Sequence, residues 1–255
     1  MQGHSFDVAR HGYVNMLPGD ARPGTADTAA MVDARARFLE AGHLKSVADE
    51  VAASAWRAGR AEYVVDLGAG TGYYLAEAVD VLNARAGLAL DISKYACRRA
   101  ARAHPRIGAA VCDVWAGLPV RSGSTSLALS VFAPRNGSEL SRILRPDGAL
   151  IVVTPAREHL QEIVGPLGLL SVDEHKAARL EQTLGGHFEL ADTRRHESFM
   201  SLDRDEVRIL ASMGPSARHI SEEELAIRAA ALTEPIVVTI SVDIGTYRPR
   251  SSEGA

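Results

Sequence analysis

The chain has 255 residues, of which 46% are hydrophobic, and its formal net charge at neutral pH is -4. This length suffices for one large α/β domain with a substantial core, and no apolar run approaches the roughly 20 residues of a membrane-spanning helix. The negative charge argues against nucleic-acid binding through overall basicity, but it leaves room for local basic patches. Because the start of the chain lacks the features of a secretory signal, we expect a cytoplasmic protein with no membrane partner.

Residues 1–58 are predicted to form an N-terminal arm followed by two helices. Residues 1–27 mix Gly, Pro, Asp and Thr, which is typical of an irregular, flexible lead segment. Between Asp27 and Trp56, apolar residues recur at helical spacing, with a break near Gly42. We therefore expect two helices before the sheet begins.

Residues 59–247 are predicted to form the main domain, because short apolar runs alternate there with helical segments. The alternation predicts right-handed βαβ units and a parallel sheet, with strands near 63–67, 87–92, 107–112, 126–132 and 149–154. Later helices are expected near 158–167, 172–184, 204–213 and 221–232. Extended stretches at 188–202 and 236–247 would add a C-terminal antiparallel pair, and 248–255 would be a disordered tail. The predicted fold class is α/β: a Rossmann-like, mostly parallel, seven-stranded sheet.

A glycine-rich turn joins the first predicted strand to its helix. The segment 66–72 has glycines at Gly68, Gly70 and Gly72, where a buried strand must turn sharply and where side chains would block a ligand approaching the backbone. Nicotinamide-dependent enzymes and purely structural turns also use such glycines, so the turn alone leaves the ligand open.

Acidic residues accompany three successive strands. Asp91 follows the glycines by about 20 residues, where a carboxylate can accept hydrogen bonds from both ribose hydroxyls. Asp113, with Trp115 after it, places a carboxylate and apolar surface where an adenine could lie. Each acid alone could simply cap a turn, but the three together favour a nucleoside site. With its glycines, Asp66 resembles the first motif of S-adenosylmethionine methyltransferases, whose acid holds the methionine part of the cofactor.

Longer segments resemble one protein family. Residues 4–17 and 31–44 are similar to the bacterial 23S ribosomal RNA guanine-N1 methyltransferases of the RlmA type, and 100–105 and 131–136 resemble most the resistance enzymes of macrolide-producing actinomycetes. The resemblance implies a class I methyltransferase fold and S-adenosylmethionine as cofactor. It also implies methylation of guanine N1 in a 23S rRNA hairpin at the peptide exit tunnel, with macrolide resistance as the biological role.

The resemblance adds further residues and partners to the prediction. The cofactor-binding residues that it adds to the glycines and acids are Leu44, Tyr74, Leu75 and His159. The implied partner is 23S rRNA, and a homodimer is a further expectation from the resemblance. His43 and His159 are candidate site residues, each of which could equally be a structural histidine.

The chain departs from the family pattern in two places. Family members begin with a zinc module of three cysteines and a histidine, but only His4 matches it here, and a structural zinc site needs about four ligands. We therefore expect no metal: either the recorded start lies downstream of the true one, or the module has been lost. The second departure is Arg218, where we expect a tryptophan. Cys97 and Cys112 lack metal or redox spacing and are expected to be reduced thiols.

The loop after the fourth parallel strand contains the candidate catalytic residues. Arg135 and Asn136 would lie beside the cofactor methyl group in this fold, where either could contact the guanine edge. The alternative is a simple turn in which Asn136 caps the next helix. The loop lacks the Pro-Pro-aromatic motif of amino-group methyltransferases and the catalytic cysteine of cytosine C5 enzymes, which disfavours those reactions.

Two features could contact RNA. Lys94, Arg98 and Arg102 are four residues apart and predict a basic ridge, which is either a phosphate-docking surface or a solvated helix face. The aromatic candidates for stacking on a splayed-out base are Tyr13, Tyr73 and Tyr74, each of which could instead pack in the core.

Two other functions compete with rRNA methylation. A methyltransferase acting on a small natural product would have the same fold, and the acidic charge and missing zinc module favour it. A non-catalytic RNA-binding protein of this fold is a more distant alternative, which the intact set of glycines and acids disfavours.

Overall fold

The structure is a computed structural model that describes residues 6–18, 24, 26–170 and 176–250. Its strands are β1 (Tyr13–Asn15), β2 (Tyr63–Leu67), β3 (Ala86–Asp91), β4 (Ile107–Val111), β5 (Thr125–Val131), β6 (Leu144–Pro155), β7 (Phe188–Leu202) and β8 (Ile236–Pro249). Its helices are α1 (Ala29–Glu40), α2 (Lys45–Ala58), α3 (Tyr73–Val81), α4 (Lys94–Ala100), α5 (Gly137–Ile143), α6 (Gln161–Leu167), α7 (Lys176–Leu184), α8 (Arg204–Ser212) and α9 (Glu222–Ala230). A 3-10 turn spans Pro215–Arg218.

The strands form one sheet in the order β1-β4-β3-β2-β5-β6-β8-β7. Pairing is parallel from β1 across to β6, whereas β8 runs antiparallel to both β6 and β7. The predicted Rossmann-like fold with a C-terminal antiparallel pair is therefore confirmed. The strand order reverses between β2 and β5, and ligands of open α/β sheets bind outside the carboxyl ends of the strands at such a point.

The sheet has an eighth strand that the sequence did not predict. Tyr13 pairs with Ala109 and Asn15 with Val111, so that β1 extends the sheet beyond β4. The prediction of an irregular lead segment was wrong for these residues, because the edge of β4 offers backbone groups that a neighbouring strand can pair with. The rest of that prediction falls partly on residues 1–5, 19–23 and 25, which lie outside the described residues.

The two predicted helices form between β1 and β2, separated by a turn in which Gly42 has a φ of +85°. Helix α1 begins at a Thr28 cap, whose hydroxyl oxygen accepts a 3.3 Å hydrogen bond from the Met31 N–H. Helix α4 ends at Ala100, so Arg102, the third member of the predicted basic ridge, lies in the tighter turn that follows, whose Ala103 N–H donates to the Ala100 carbonyl.

The last strand runs further than predicted. Strand β8 continues to Pro249, with Arg248 paired to Glu189 in β7. The guanidinium of Arg248 also donates to the carbonyls of Ala58 and Gly148. The predicted disordered tail was therefore wrong at 248–250, where strand pairing and hydrogen bonds, including one from the Arg250 N–H to the His187 carbonyl, hold the chain. Residues 251–255 lie outside the described residues.

Helices cover both faces of the sheet, as parallel strands require. One buried cluster joins the sheet to helices α1, α2, α3, α4, α6, α8 and α9. A second cluster, on the opposite face, includes Leu140 and Ile143 of α5 together with Phe188 and Tyr247. Within the described parts of the chain, no helix is both long and apolar enough to cross a membrane.

Candidate active site

The glycine loop between β2 and α3 is shaped by its neighbours. A side-chain carbon on Gly68 would lie 2.5 Å from Cβ of Ala133, and Gly68 has a φ of +67°. Gly72 precedes α3 with a φ of +80°, and a carbon added there would lie 3.0 Å from Cα of Ala100. Both positions therefore require glycine, and the loop lies directly against the segment that follows β5.

Asp91 connects this loop to the end of β3. Its Oδ2 accepts a 2.9 Å hydrogen bond from the Gly70 N–H, and its Oδ1 accepts a 2.8 Å bond from the Ser93 N–H. Burial raises the pKa of the Asp91 carboxyl above its usual range, while these two N–H donors act in the opposite direction. Because each carboxylate oxygen can accept more than one hydrogen bond, the group can also accept from ligand hydroxyls.

Asp66 is a buried acid at the end of β2. Only 1% of the residue is exposed. Its Oδ1 has no hydrogen-bond partner among the described residues. Burial and then the negative charge of Asp91 raise the pKa of Asp66 to about 8. A buried oxygen of this kind costs stability unless it gains a donor, so the position suits a ligand that carries positive charge or N–H groups.

Arg35 of α1 reaches the same loop, although no sequence motif pointed to it. Its guanidinium donates to Oδ2 of Asp27 at 2.5 Å and to the Met213 carbonyl at 2.7 Å. A carbon added at Gly70 would lie 3.4 Å from Nη1 of Arg35. The signal that could have found this residue is its position three after Val32, on the buried face of α1.

Asp113 follows β4, next to the strand that ends in Asp91. The Cys112 N–H donates to the Asp91 carbonyl at 3.0 Å, which holds the two chain segments together. Oδ1 of Asp113 accepts a 2.9 Å hydrogen bond from the Trp115 N–H, and Trp115 is 63% exposed. A carboxylate, followed by an exposed aromatic residue, thus lies next in the sheet to the strand that ends in Asp91, and contact of these groups with an adenine stays a prediction.

Residues that the family resemblance added lie in two environments. Leu44 and Leu75 are buried in the core, so a cofactor would meet them mainly through the backbone. Tyr74 is half-buried, and its ring lies edge-on to that of Tyr73 at 5.3 Å between centroids. Burial raises the pKa of the Tyr74 hydroxyl, with Tyr73, Arg35 and Asp66 close enough to contribute electrostatically.

Phe132 occupies an unusual position at the mouth of the site. It follows β5 with a φ of +54°, in the left-handed region that a bulky residue rarely adopts. Its ring is 41% exposed. The ring centroid lies 6.4 Å from that of Tyr74 and 5.9 Å from the stacked ring of His159. Nδ1 of His159 accepts a 3.3 Å hydrogen bond from the Ser241 N–H, which anchors this stack to β8.

Arg135 and Asn136 make local structural contacts. Oδ1 of Asn136 accepts from the Glu139 N–H at 3.2 Å and so caps α5, while Nδ2 donates to the Val114 carbonyl at 3.0 Å. Nε of Arg135 donates to the Ala133 carbonyl at 3.2 Å, and burial lowers the pKa of its guanidinium. These contacts fit the capping alternative, and contact with a guanine edge stays a prediction.

The histidine and the two cysteines singled out from the sequence make contacts within the protein, and Sγ of Cys97 donates to the Asp91 carbonyl at 3.6 Å. Nε2 of His43 is 2.9 Å from Oε1 of Glu206, and its ring packs on Phe38. Cys97 and Cys112 are free and buried, and burial raises the pKa of the Cys112 thiol to about 12. No group of three metal-ligating side chains occurs in the described part of the chain; His4 and the side chain of Arg218 lie outside the description.

Comparison with known proteins identifies the family. No family model matches the sequence. A Micromonospora griseorubida protein, assigned as a 23S rRNA (guanine-N1)-methyltransferase, is 50% identical over 262 residues, covering 97% of this chain and 88% of the relative. The chain belongs to the 23S rRNA (guanine-N1)-methyltransferase family. The Streptomyces fradiae 23S rRNA (guanine(748)-N1)-methyltransferase is 48% identical over 97% of this chain and 89% of its own.

Solved structures agree on the fold of this family member. A Haloferax volcanii methyltransferase in complex with its Trm112 activator has a TM-score of 0.53 and 19% identity, covering 87% of this chain and 96% of its own. The YcgJ protein of Bacillus subtilis has a TM-score of 0.51 and 12% identity, with 80% and 98% coverage. At such identities the likeness shows the fold alone.

Proposed function

We propose that this protein transfers a methyl group from S-adenosylmethionine to N1 of a guanine in 23S rRNA. The observation that carries the proposal is sequence identity: two relatives named for that reaction are 50% and 48% identical to this protein over 97% of its chain. The intact glycine loop and acids give this chain the groups that the reaction's cofactor requires. A hairpin at the peptide exit tunnel as target, and macrolide resistance as the role, belong to the same proposal.

The charged and hydrogen-bonding groups of the site suit S-adenosylmethionine. The unpartnered Oδ1 of Asp66 suits the positively charged methionine part of the cofactor, and Asp91 can accept from the ribose hydroxyls. Asp113 and Trp115 offer a carboxylate and a ring to the adenine. The guanidinium of Arg35, beside Gly70, is placed to bind the cofactor carboxylate. When bound, S-adenosylmethionine supplies an electrophilic methyl group.

Phe132 is the residue that we assign to the target base. Its exposed ring lies 6.4 Å from the ring of Tyr74, at the start of α3, and the next residue, Ala133, packs on Gly68. Its backbone holds a strained conformation. Such strain persists only where the surrounding structure enforces it, and it often marks a functional position. A guanine that is flipped out of the RNA and stacked on this ring would have its edge facing the bound cofactor.

The expected cytoplasmic location and homodimer stand as parts of this proposal. A soluble bacterial enzyme would meet 23S rRNA in the cytoplasm, and sedimentation of the purified chain would give its oligomeric state directly. Neither expectation alters the assignment of residues in the site.

The experiment compares two substrate classes with one cofactor. Purified protein is incubated with methyl-labelled S-adenosylmethionine and either protein-free 23S rRNA or a macrolide. We expect label in the RNA at a rate well above that of an Asp66→Asn variant, and none in the macrolide. Label in the small molecule alone would contradict the proposal and favour a natural-product methyltransferase.

A further inference from the structure

A tight hairpin brings the start of the chain against α4. Val8 and Val14 form an antiparallel bridge, and the Gly12 N–H donates to the Ala9 carbonyl at 2.8 Å, which closes the turn. A carbon added at Gly12, whose φ is +89°, would lie 3.5 Å from Cβ of Ala101, the C-cap residue that follows α4. The hairpin tip is therefore packed on the end of that helix.

The packing assembles a basic cluster, which consists of Arg10, His11, Arg98 and Arg102. The hairpin tip supplies the first two residues, and α4 with its following turn supplies the others. Nη2 of Arg102 lies 3.0 Å from Nδ1 of His11. The three arginines are exposed. Desolvation and then the charges of Arg98, Arg10 and Arg102 lower the pKa of His11, so the four groups share one electrostatic environment.

The cluster differs from the other arginines nearby in lacking acidic partners. Among the described residues, no carboxylate forms an ion pair with any of its three arginines, whereas Arg99 on the same helix pairs with Asp33 at 2.7 Å. Arg106 likewise pairs with Asp80 at 3.0 Å. The protein as a whole has a net charge of -4, so the concentration of positive charge is local. Uncompensated like charges repel, and an anionic partner would relieve that repulsion.

We propose that the basic cluster binds the phosphate backbone of the substrate RNA at a point separate from the target base. Guanidinium groups suit phosphate oxygens, because their N–H groups match that geometry in pairs. Helix α4 begins beside the cofactor site, where Ser93 caps it and donates to the Asp27 carbonyl. Helix α4 thus extends from the cofactor site to the basic cluster, so one RNA could contact both places. The inference rests on the proposed function.

The basic ridge predicted from the sequence is thereby redefined. Lys94, its first member, lies with its ammonium 5.2 Å from the Tyr95 ring centroid. Arg98 and Arg102 belong to the cluster, and the hairpin adds Arg10 and His11, which helical spacing could not reveal. The four groups come from two segments that are far apart in sequence.

The test compares two double variants of equal charge. Arg98→Gln/Arg102→Gln removes two cluster arginines, and the control, Arg85→Gln/Arg99→Gln, removes two exposed arginines that have acidic partners. For the first, we expect the KM for 23S rRNA to rise about tenfold and the log-log salt slope of RNA binding to fall by about 1.5, since each phosphate contact contributes about 0.7–0.9. The Kd for the cofactor should be unchanged in this variant. In the control, the KM for 23S rRNA should lie within about twofold of the wild-type value.

A KM and salt slope equal to those of the wild type in the cluster variant would overturn the proposal. So would an equal loss in both variants, which would show a nonspecific effect of net charge. Direct binding of a 23S rRNA hairpin, measured by fluorescence anisotropy, keeps the test independent of catalysis. If the wild type methylates no guanine but the cluster variant still loses RNA affinity, then the proposed function fails and the docking surface stands.

Discussion

The backbone N–H of Gly70 donates a 2.9 Å hydrogen bond to Oδ2 of Asp91, so the glycine loop and the acid at the end of β3 form one unit. The same carboxylate accepts from the Ser93 N–H at the start of α4. Two parts of the site that are about 20 residues apart in sequence, a spacing common in nucleotide-binding sheets, thus hold each other in place.

Replacing Asp91 should weaken cofactor binding and loosen the loop. In Asp91→Ala, we expect cofactor affinity to fall at least about tenfold, because the acceptor for the ribose hydroxyls is lost, and stability to fall by about 1–3 kcal/mol with the two backbone donors unpaired. Asp49→Ala, at an exposed position on α2, is the control. Calorimetric titration and urea unfolding measure both effects. Unchanged cofactor affinity in the folded Asp91 variant would refute the assignment.

Asp66 should make the stability of the cofactor-free protein depend on pH. Its pKa is raised from 3.8 to about 8 in the folded state, so its contribution to stability is fully present below about pH 4 and is lost as the pH rises toward 8. Asp66→Asn should flatten that decline and be more stable than the wild type at pH 8, by about 1–3 kcal/mol. Parallel pH profiles for the two proteins in urea unfolding would count against a raised pKa.

Cofactor binding provides a second measurement of the Asp66 pKa. A positively charged ligand favours the ionised carboxylate, so we expect the wild type to release a proton on binding at pH 7. Calorimetric titration in two buffers with different ionisation enthalpies measures this proton. The Asp66→Asn variant should release fewer protons and bind the cofactor more weakly.

Much of this arrangement could be predicted from local sequence. Strand β2 has the bounds of the predicted strand 63–67. Asp66 and Asp91 lie near the carboxyl ends of β2 and β3, the positions that the sequence indicated. The edge strand β1 and the role of Arg35 could not be predicted, because both depend on contacts between distant segments: Tyr13 pairs with Ala109, and Arg35 meets Gly70. Neither contact leaves a periodic signal in the sequence.

The strained backbone at Phe132 could not be predicted from the sequence, for a related reason. Phe132 is a β-favouring residue in an apolar run, and its spacing extends the predicted fourth strand of the parallel set through it. The structure ends β5 at Val131 and turns the next residue into the left-handed region. Ala133, the residue after this turn, packs on Gly68, a long-range contact that local sequence does not reveal.

Phe132 should affect RNA methylation without supporting stability. In Phe132→Ala, we expect kcat/KM for RNA to fall by about 10- to 100-fold, because a base stacked on an aromatic ring gains about 1–3 kcal/mol. Phe132→Trp should retain most activity. Phe132→Gly should be at least as stable as the wild type, since glycine adopts a positive φ freely, yet it should be as inactive as the alanine variant. Full activity in Phe132→Ala would exclude the stacking role.

Asn136 separates a capping role from a catalytic one. Asn136→Ala should lower stability by about 1 kcal/mol, because α5 loses its N-cap. In Asn136→Ser, a hydroxyl can still accept from the Glu139 N–H, so stability should largely recover, with methylation within a few-fold of the wild type. A stable serine variant without methyltransferase activity would instead support contact between Asn136 and the guanine edge.

The most direct test of the central claim is primer extension on 23S rRNA that has been incubated with the protein and S-adenosylmethionine. A methyl group on guanine N1 blocks Watson–Crick pairing, so reverse transcriptase should stop at one guanine in the exit-tunnel hairpin, and the stop should vanish without cofactor. An RNA that acquires label but gives no stop would show methylation elsewhere on the nucleotide. An RNA with neither label nor stop would contradict the account of this protein as a 23S rRNA guanine-N1 methyltransferase.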